Sequence, residues 1–383
     1  MRYRPFGRLD FQVSALGFGA MRLPVIDRDP AKINEPEAIR MIRYAIDHGV
    51  NYVDTAWPYH GGHSEELVGQ ALTEGYRQKV KLATKLPVRL AQSAQDFDRF
   101  LNEQLKRLKT DHIDCYLLHG LNKRSWPHGR DLGVLSWAER VKKEGKILHL
   151  GFSFHDDFEV FREIVDGYEG WEFCQIQYNY MDTEYQAGTK GLKYAAEKGL
   201  GLVIMEPLRG GTLAKNPPPS VAAIWAEAPN KRTPAEWALL WVWNHPEVST
   251  VLSGMSKMEQ VEENVRIAEV SAPPCLTPEE SALFERVREE YRRLSPIPCT
   301  NCKYCMPCPN EVNIPEILAL YNDAFKYGDV KRARILYTIR VAEGERADRC
   351  LECGECEEKC PQGIPISEWI KKADELLAPQ KPA

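Results

Sequence analysis

Nowhere in the 383 residues do 18 apolar side chains run together, which speaks against a membrane-spanning helix. The opening stretch MRYRPFGRLDFQVSALGFGA has no continuous apolar region before a small-residue cleavage site, so no secretory signal is read and a cytoplasmic location is expected. Basic charge is not in excess: 50 Lys and Arg stand against 55 Asp and Glu, a formal net charge of −5. Nucleic acid and anionic membranes both call for a concentrated basic face, so neither is expected as a partner. Cysteine is scarce through most of the chain. Only Cys115, Cys174 and Cys275 precede position 299, while the other eight of eleven are packed into two short runs. In a reducing compartment such clustering points to metal rather than to cross-links.

What is present, over the first 290 residues or so, is alternation. Eight β-rich runs recur: VSALGFGAM, NYVDTA, KVKLATKL, IDCYLLHG, ILHLGFSF, FCQIQYNY, GLVIMEP and STVLSGM. Helical patterns follow most of them. In NEPEAIRMIRYAIDHGV, Asn34 is read as an N-cap with Glu37 three residues on, and Ile39, Ile42, Ala45 and Ile46 at helical spacing. Eight such units predict an α/β fold, a closed (β/α)₈ TIM barrel. The competing doubly wound sheet calls for a G-x-G-x-x-G turn after the first strand, and GFGAM is not one. Before the barrel, YRPFG and LDFQV flank a Gly-Arg turn and predict a small hairpin capping one end.

In such barrels chemistry sits where strands end and βα loops begin. There the sequence places Asp54, Tyr59 five residues later, Lys85 and His119. A phenol with a pKa of about 10 is a poor proton donor or acceptor at neutral pH. A neighbouring ammonium is expected to lower that pKa, and a carboxylate to keep the lysine charged. A neutral imidazole can hold a carbonyl oxygen beside the phenol. Singly, each residue has a bland reading: a loop cap, a surface aromatic, a solvated lysine, a satisfied loop histidine. Four at successive strand ends, in the types that carbonyl reduction requires, favour the chemical one.

With VDTAWPY, ATK and LLH in place, the sequence resembles the aldo-keto reductases over about residues 1–270. The resemblance implies catalytic roles for Asp54, Tyr59, Lys85 and His119, and a nicotinamide cofactor, NADP or NAD. It puts Ser153 and Gln175 on the carboxamide of that cofactor. Phe154 stands where the family often has asparagine, and Met205 where it commonly stacks a tyrosine on the ring. Leu208, Arg209, Gly210 and Gly211 resemble the loop that crosses the pyrophosphate, with glycines allowing close backbone approach. Gln260, Glu263 and Asn264 match adenosine-contacting positions. Gly254 and Gln260 stand where many NADP-specific members have a basic residue, which leaves Ser256 and Lys257 as candidates for the 2′-phosphate. Read without the family, SKMEQVEEN is a capped, charged helix.

The second cysteine run, C-L-E-C-G-E-C-E-E-K-C-P, has the spacing and closing proline of cubane iron–sulfur ligation, and the first, C-T-N-C-K-Y-C-M-P-C-P, departs from it by one residue, with only two between Cys305 and Cys308. Three thiolates three residues apart wrap one cluster, and the fourth reaches another. The expected sets are Cys299, Cys302, Cys305 and Cys360 on one [4Fe–4S] cluster, and Cys350, Cys353, Cys356 and Cys308 on the other. Two zinc sites are the alternative. The 41 residues between the runs read as helical, with Asn313 as an N-cap and an apolar stripe of Ile317, Leu318 and Tyr321. This tail resembles the α-helical ferredoxin domains of multi-subunit redox enzymes. The expected division is a barrel over 1–275, a bridging helix and linker over 276–297, and a two-cluster domain over 298–383.

Three functions remain open from sequence. The barrel reduces a small-molecule carbonyl with NAD(P)H while the clusters are structural or regulatory. Alternatively, the clusters connect the barrel to a soluble electron carrier such as ferredoxin. In the third, the chain is a non-catalytic electron-transfer or redox-sensing module. Trp57, His60, Trp126 and Tyr180 are candidate pocket walls or rim aromatics, and LNKRSWPHGRDLG after the fourth strand is read as a basic, solvated loop.

Overall fold

All eight expected strands form, and a short hairpin precedes them. In the computed structural model, which describes residues 1–27 and 29–379, β1 (Tyr3–Pro5) pairs antiparallel with β2 (Gln12–Ser14), Tyr3 opposite Ser14. Eight parallel strands follow: β3 (Leu16–Gly19), β4 (Tyr52–Asp54), β5 (Lys81–Leu86), β6 (Ile113–Leu121), β7 (Ile147–Phe154), β8 (Phe173–Gln177), β9 (Gly201–Met205) and β10 (Thr250–Ser253). Each neighbours the next, and β10 pairs with both β9 and β3, so the sheet closes on itself. A doubly wound sheet has two open edges, and this one has none.

The hairpin seals one end of the barrel. Phe6, fully buried, lies 5.9 Å from the Tyr52 ring and 5.3 Å from the Phe173 ring. It joins Val13, Ala83, Cys115, Leu117 and Val203 in one apolar cluster. Tyr52 and Phe173 begin their strands, so the plug fills the N-terminal mouth and leaves the opposite mouth for chemistry. The turn after Phe6 requires glycine: Gly7 has φ +58°, and a Cβ there would meet the Gly201 nitrogen at 2.3 Å.

Helix starts differ from expectation at Asn34 and Asn313. The helix Glu35–Asp47 begins at Asn34 as predicted, but the Asn34 side chain makes no capping bond. Its partner in the expected box, Glu37, turns forward instead and takes two bonds of 2.8 Å from Arg40. Pro36 in the first turn presets the backbone without a cap. The next long helix, Ala94–Arg107, does carry a full capping box between Ser93 and Asp96. The stretch after β6 that reads as a solvated loop is helical over Ser125–Asp131, and its Trp126 is 1% exposed.

The chain divides into two compact units, 1–215 with 232–278, and 216–231 with 279–383; positions 380–383 lie outside the described residues. The second unit is helical: Pro219–Ala226, Pro278–Arg293, Ile314–Lys326, Val330–Arg340 and Ile366–Leu377. Ile317, Leu318 and Tyr321 are buried as the stripe predicts, beside Ala333, Tyr337, Ile370 and Leu377. Asn313 stands at the N-cap position of its helix without a side-chain cap and donates to Glu345 at 3.2 Å. Asn322 brackets the chain entering the cysteine runs, accepting from the Ile297 N–H at 2.9 Å and donating to its carbonyl at 2.8 Å. No helix among the described residues is long and apolar enough to cross a membrane.

Candidate active site

Asp54 is the last residue of β4, Lys85 and His119 lie near the ends of β5 and β6, and Tyr59 opens the turn Tyr59–Gly62. The fold therefore brings four polar side chains to one mouth of an apolar barrel. Lys85 Nζ donates to both Asp54 oxygens at 2.7 and 2.8 Å and to the Thr55 carbonyl at 2.8 Å. It lies 3.5 Å from Tyr59 Oη. The His119 ring stands edge-on to Tyr59, centroids 6.2 Å apart. Lys85 is 1% exposed and Asp54 2%.

Burial, more than the lysine, sets these ionisations, which corrects the expectation of an acidified phenol. Loss of solvation raises the Tyr59 pKa above its ordinary value, and Lys85 only partly opposes it. The ammonium lies 3.5 Å from the phenol and is shared with Asp54, so its pull lowers the Tyr59 pKa without cancelling the effect of burial. Burial likewise raises Asp54 against the pull of Lys85. For Lys85, burial disfavours the charge, but Asp54 and Tyr59 outweigh it and the ammonium is retained. Burial, helped by the Lys85 charge, drives His119 down to about 3. At neutral pH the mouth thus holds a protonated phenol, a charged lysine and a neutral imidazole.

Beneath Lys85 lies a polar network that the sequence did not suggest. Glu65, fully buried, accepts from Thr84 Oγ1 at 2.7 Å and Gln104 Nε2 at 2.6 Å, and pairs with Arg107 at 3.3 Å. Gln104 also donates to the Lys85 carbonyl at 3.0 Å, fixing the strand that carries the lysine. Of the aromatic candidates, Trp126 is core, against Trp171 at 6.0 Å. His60 spends both ring nitrogens on the backbone, at Pro30 O and the Leu23 N–H. Tyr180 is 3% exposed, and Trp57 is sandwiched between Arg107 and the edge of Phe100.

A groove of about 440 Å³ runs over the loops after β9 and β10. Leu208, Gly210 and Gly211 line one side, and Gly254, Ser256, Gln260, Glu263 and Asn264 the other. Asn264 donates to Ser253 Oγ at 2.9 Å, and Gln260 accepts from the Ser256 N–H at 2.9 Å, so the wall is internally braced. Arg209 and Lys257 are not among the lining residues: the Arg209 Nε is 3.0 Å from Asp182, and Lys257 stands at the N-cap of Met258–Ala268. The cations that do line it, Arg22 and Lys215, were not anticipated. Arg22 pairs with Glu206 at 3.0 Å. Its position three residues past β3 was the available signal. At the strand ends, Ser153 faces Gln175 in register and accepts from the Gly120 N–H at 2.8 Å. Gln175 Nε2 lies 3.6 Å from the Met205 sulfur, while its Oε1 is buried with no partner. An orphan amide acceptor at the end of β8, near Met205, and a glycine-lined groove that begins at the next residue, Glu206, fit a cofactor that has both an amide and phosphates. A wider depression of about 1160 Å³, lined by Asn51, Lys81 and Asp114 among others, holds none of the predicted site residues.

In the second unit the cysteines interleave. Cys299, Cys302 and Cys305 line one small cavity with Cys360. Cys350, Cys353 and Cys356 line another with Cys308. Among the described residues, no three His, Cys, Asp or Glu side chains gather tightly enough to hold a single ion. A tetrahedral zinc site needs four sulfurs at about 2.3 Å from one point. Thiols spaced around an apolar cavity fit a cluster better.

The aldo/keto reductase family profile matches residues 15–274. The chain belongs to the aldo/keto reductase family. A second profile, the 4Fe-4S dicluster domain, matches residues 298–364, so this aldo/keto reductase carries an iron–sulfur domain after its barrel. It is 27% identical to the uncharacterized oxidoreductase YrpG of Bacillus subtilis (strain 168) over 312 residues, 71% of this chain and 92% of that one. It is 28% identical to L-galactose dehydrogenase of Arabidopsis thaliana over 282 residues, 68% and 86% of the two chains. Similar solved structures include aldo-keto reductase AKR11C1 from Bacillus halodurans in its holo form, with TM-score 0.62, 29% identity, and 75% and 96% of the chains covered. The Klebsiella pneumoniae aldo-keto reductase in complex with NADPH gives 0.61 at 26% identity, with the same coverage. The family and its oxidoreductase relatives make this chain an oxidoreductase.

Proposed function

We propose that the barrel reduces an aldehyde or ketone with NADPH or NADH, and that the second unit holds two [4Fe–4S] clusters on the interleaved sets of four cysteines. The observation that carries this reading is the buried Lys85 ammonium, shared by both Asp54 oxygens and 3.5 Å from the Tyr59 hydroxyl. The nicotinamide, when bound, supplies hydride to the carbonyl carbon. Tyr59, kept protonated by burial, gives its proton to the carbonyl oxygen. Lys85 stabilises the phenolate left behind, and Asp54 keeps the lysine charged and aimed. Neutral His119 donates a hydrogen bond to the substrate oxygen without adding a second positive charge.

When the nucleotide binds, Ser153 and Gln175 would hold its carboxamide and Met205 would serve the nicotinamide. The backbone of Leu208, Gly210 and Gly211 would take the pyrophosphate. Arg209 does not line the groove, so the phosphate charge falls to Arg22 and Lys215, which do. Ser256, Gln260, Glu263 and Asn264 take the adenosine end. NADPH, the ligand of the Klebsiella pneumoniae structure, is the first nucleotide to test. Tyr59→Phe removes only the transferable proton. Steady-state turnover of an aldehyde is expected to fall by about 10²–10⁴-fold, with the NADPH Kd within about twofold of wild type. Unchanged turnover removes Tyr59 from the mechanism.

One observation favours a second reading, in which the clusters carry electrons to or from the barrel site. Cys302 and Cys353 are exposed, one in each set of four. Each set therefore has a sulfur at the surface, where a soluble carrier such as ferredoxin can exchange one electron. Two such transfers, with one proton from Tyr59 and one from solvent, balance the reduction of a carbonyl to an alcohol. NADPH mixed anaerobically with the whole protein separates the readings. Loss of the broad visible cluster absorbance supports electrical connection of groove and clusters, and an unchanged spectrum supports independent roles.

A further inference from the structure

The chain between β9 and the helix Pro234–Trp243 makes an excursion whose two ends and middle belong to different parts of the molecule. On the way out, Glu206, Pro207, Leu208, Gly210, Gly211, Ala214 and Lys215 line the dinucleotide groove. On return, Thr233 and Ala235 line the same groove. Thr233 also caps its helix, accepting from the Glu236 N–H at 3.1 Å, and donates to Glu263 on the far wall at 2.7 Å. The sixteen residues between, 216–231, are part of the second compact unit.

That middle segment is anchored on the helix Pro278–Arg293, also of the second unit, in three ways. Trp225, 9% exposed, meets the Phe284 ring edge-on at 4.9 Å. Glu227 accepts from the two terminal guanidinium nitrogens of Arg286 at 2.5 and 2.8 Å. Asn230 donates to Glu280, a fully buried carboxyl, at 2.9 Å. The same helix runs on toward Cys299, six residues past its end at Arg293. At the groove end Arg209, Gly210 and Gly211 have φ of +48°, +65° and +88° in succession, in a turn closed by the Gly211 N–H on the Leu208 carbonyl at 2.9 Å.

We infer that residues 216–231 are a strap through which packing of the iron–sulfur unit sets the affinity of the dinucleotide groove, and nucleotide in turn tightens that packing. The inference rests on the dinucleotide reading of the groove. Its physical basis is chain continuity. A loop whose ends must be ordered to bind a ligand loses less entropy on binding when its middle is already pinned. The coupling is reciprocal by linkage: whatever the anchor contributes to nucleotide affinity, nucleotide returns to the anchor. Held in the second unit while the residues on either side of it line the groove, the segment makes the cofactor site responsive to that unit.

The test measures the Kd of NADPH, by titration of protein fluorescence, for the whole anaerobically purified protein and three variants. Trp225→Ala is expected to weaken NADPH by about tenfold, within the usual range of coupling between sites. Arg286→Glu, which sets like charges against Glu227 on an exposed surface, is expected to weaken it by about threefold. Adding Glu227→Arg to Arg286→Glu restores the ion pair and should restore the affinity, which a merely unfolded variant would not do. Hydrogen exchange over 216–231 should slow in the wild type when NADPH is added. Wild-type binding with the Arg286→Glu variant and the exchange of 216–231 both unmoved overturns the strap alone. Absence of NADPH and NADH binding to the wild type overturns the dinucleotide reading and the strap with it.

Discussion

Tyr59 and Lys85 were recognisable from sequence because strand ends in a barrel are few and four chemically matched residues fell on them. Their ionisation was not, because it depends on how many acceptors the ammonium already has. Three short contacts to Asp54 and Thr55 leave the lysine 3.5 Å from the phenol, and burial wins at Tyr59. His119 shows the same force in a testable form. Its folded pKa is about 3, against an ordinary value near 6.5. Between those limits the unfolded chain binds a proton that the folded chain refuses, so His119 makes the fold less stable as pH falls through that window. In the folded protein the imidazole should stay neutral at pH 5. Nitrogen-15 NMR of the histidine side chains, with His119→Asn to assign the signal, is expected to show no His119 titration between pH 5 and 8. An acid limb near pH 6.5 in kcat/KM that vanishes in His119→Asn would contradict the assignment. Arg22 and Glu65 escaped the reading for a different reason. One is a cation in a loop and the other one of two adjacent acids opening a helix, and only the closed barrel shows that they face the groove and the lysine strand.

Elements were legible in proportion to how much their pattern depends on local sequence. The strands are short, β-rich and bounded by turns, and all eight were found; the Ser125–Asp131 helix was not, since its charge and its Pro and Gly disguise the large apolar side chain, Trp126, that it buries. Caps fall between. Asn34 and Ser93 look alike as N-caps, yet Asn34 makes no capping bond while Ser93 closes a reciprocal box with Asp96. The bonds that Asp96 accepts from Arg99 and from the Gln92 and Ser93 backbone hold its carboxyl low, at about 2. Ser93→Ala is therefore expected to lower unfolding stability by about 1 kcal/mol, and Asn34→Ala by less than about 0.5 kcal/mol. Urea titration of the two variants against wild type checks the difference. Equal losses would mean that Asn34 caps its helix in solution after all.

At the scale of the whole molecule, the division into barrel and cysteine-bearing tail was plain from composition, but the excursion of 216–231 into the second unit was not. A chain that leaves one unit and returns carries no mark in its sequence, because its helix is as apolar as any barrel helix would be. The cysteine sets are the converse case, since the spacing of the second run implies that its last sulfur serves the other cavity, and the first run, one residue shorter, was read by analogy with it. The structure has Cys360 lining the cavity of Cys299, Cys302 and Cys305, and Cys308 that of Cys350, Cys353 and Cys356. Interleaving has a consequence that adjacency does not. If the wild type holds about eight irons per chain, Cys308→Ala should leave about four. Adding Cys350→Ala should take nothing more, because both substitutions strike one cavity although 42 positions separate them. Adding Cys299→Ala to Cys308→Ala, nine positions away in the same run, should instead empty both sites. Iron and sulfide analysis of the anaerobically purified double variants reads this directly. Four irons in the Cys299/Cys308 double variant and almost none in the Cys308/Cys350 one would mean that each run closes on itself, and the two runs would then be separate sites rather than one interlocked centre.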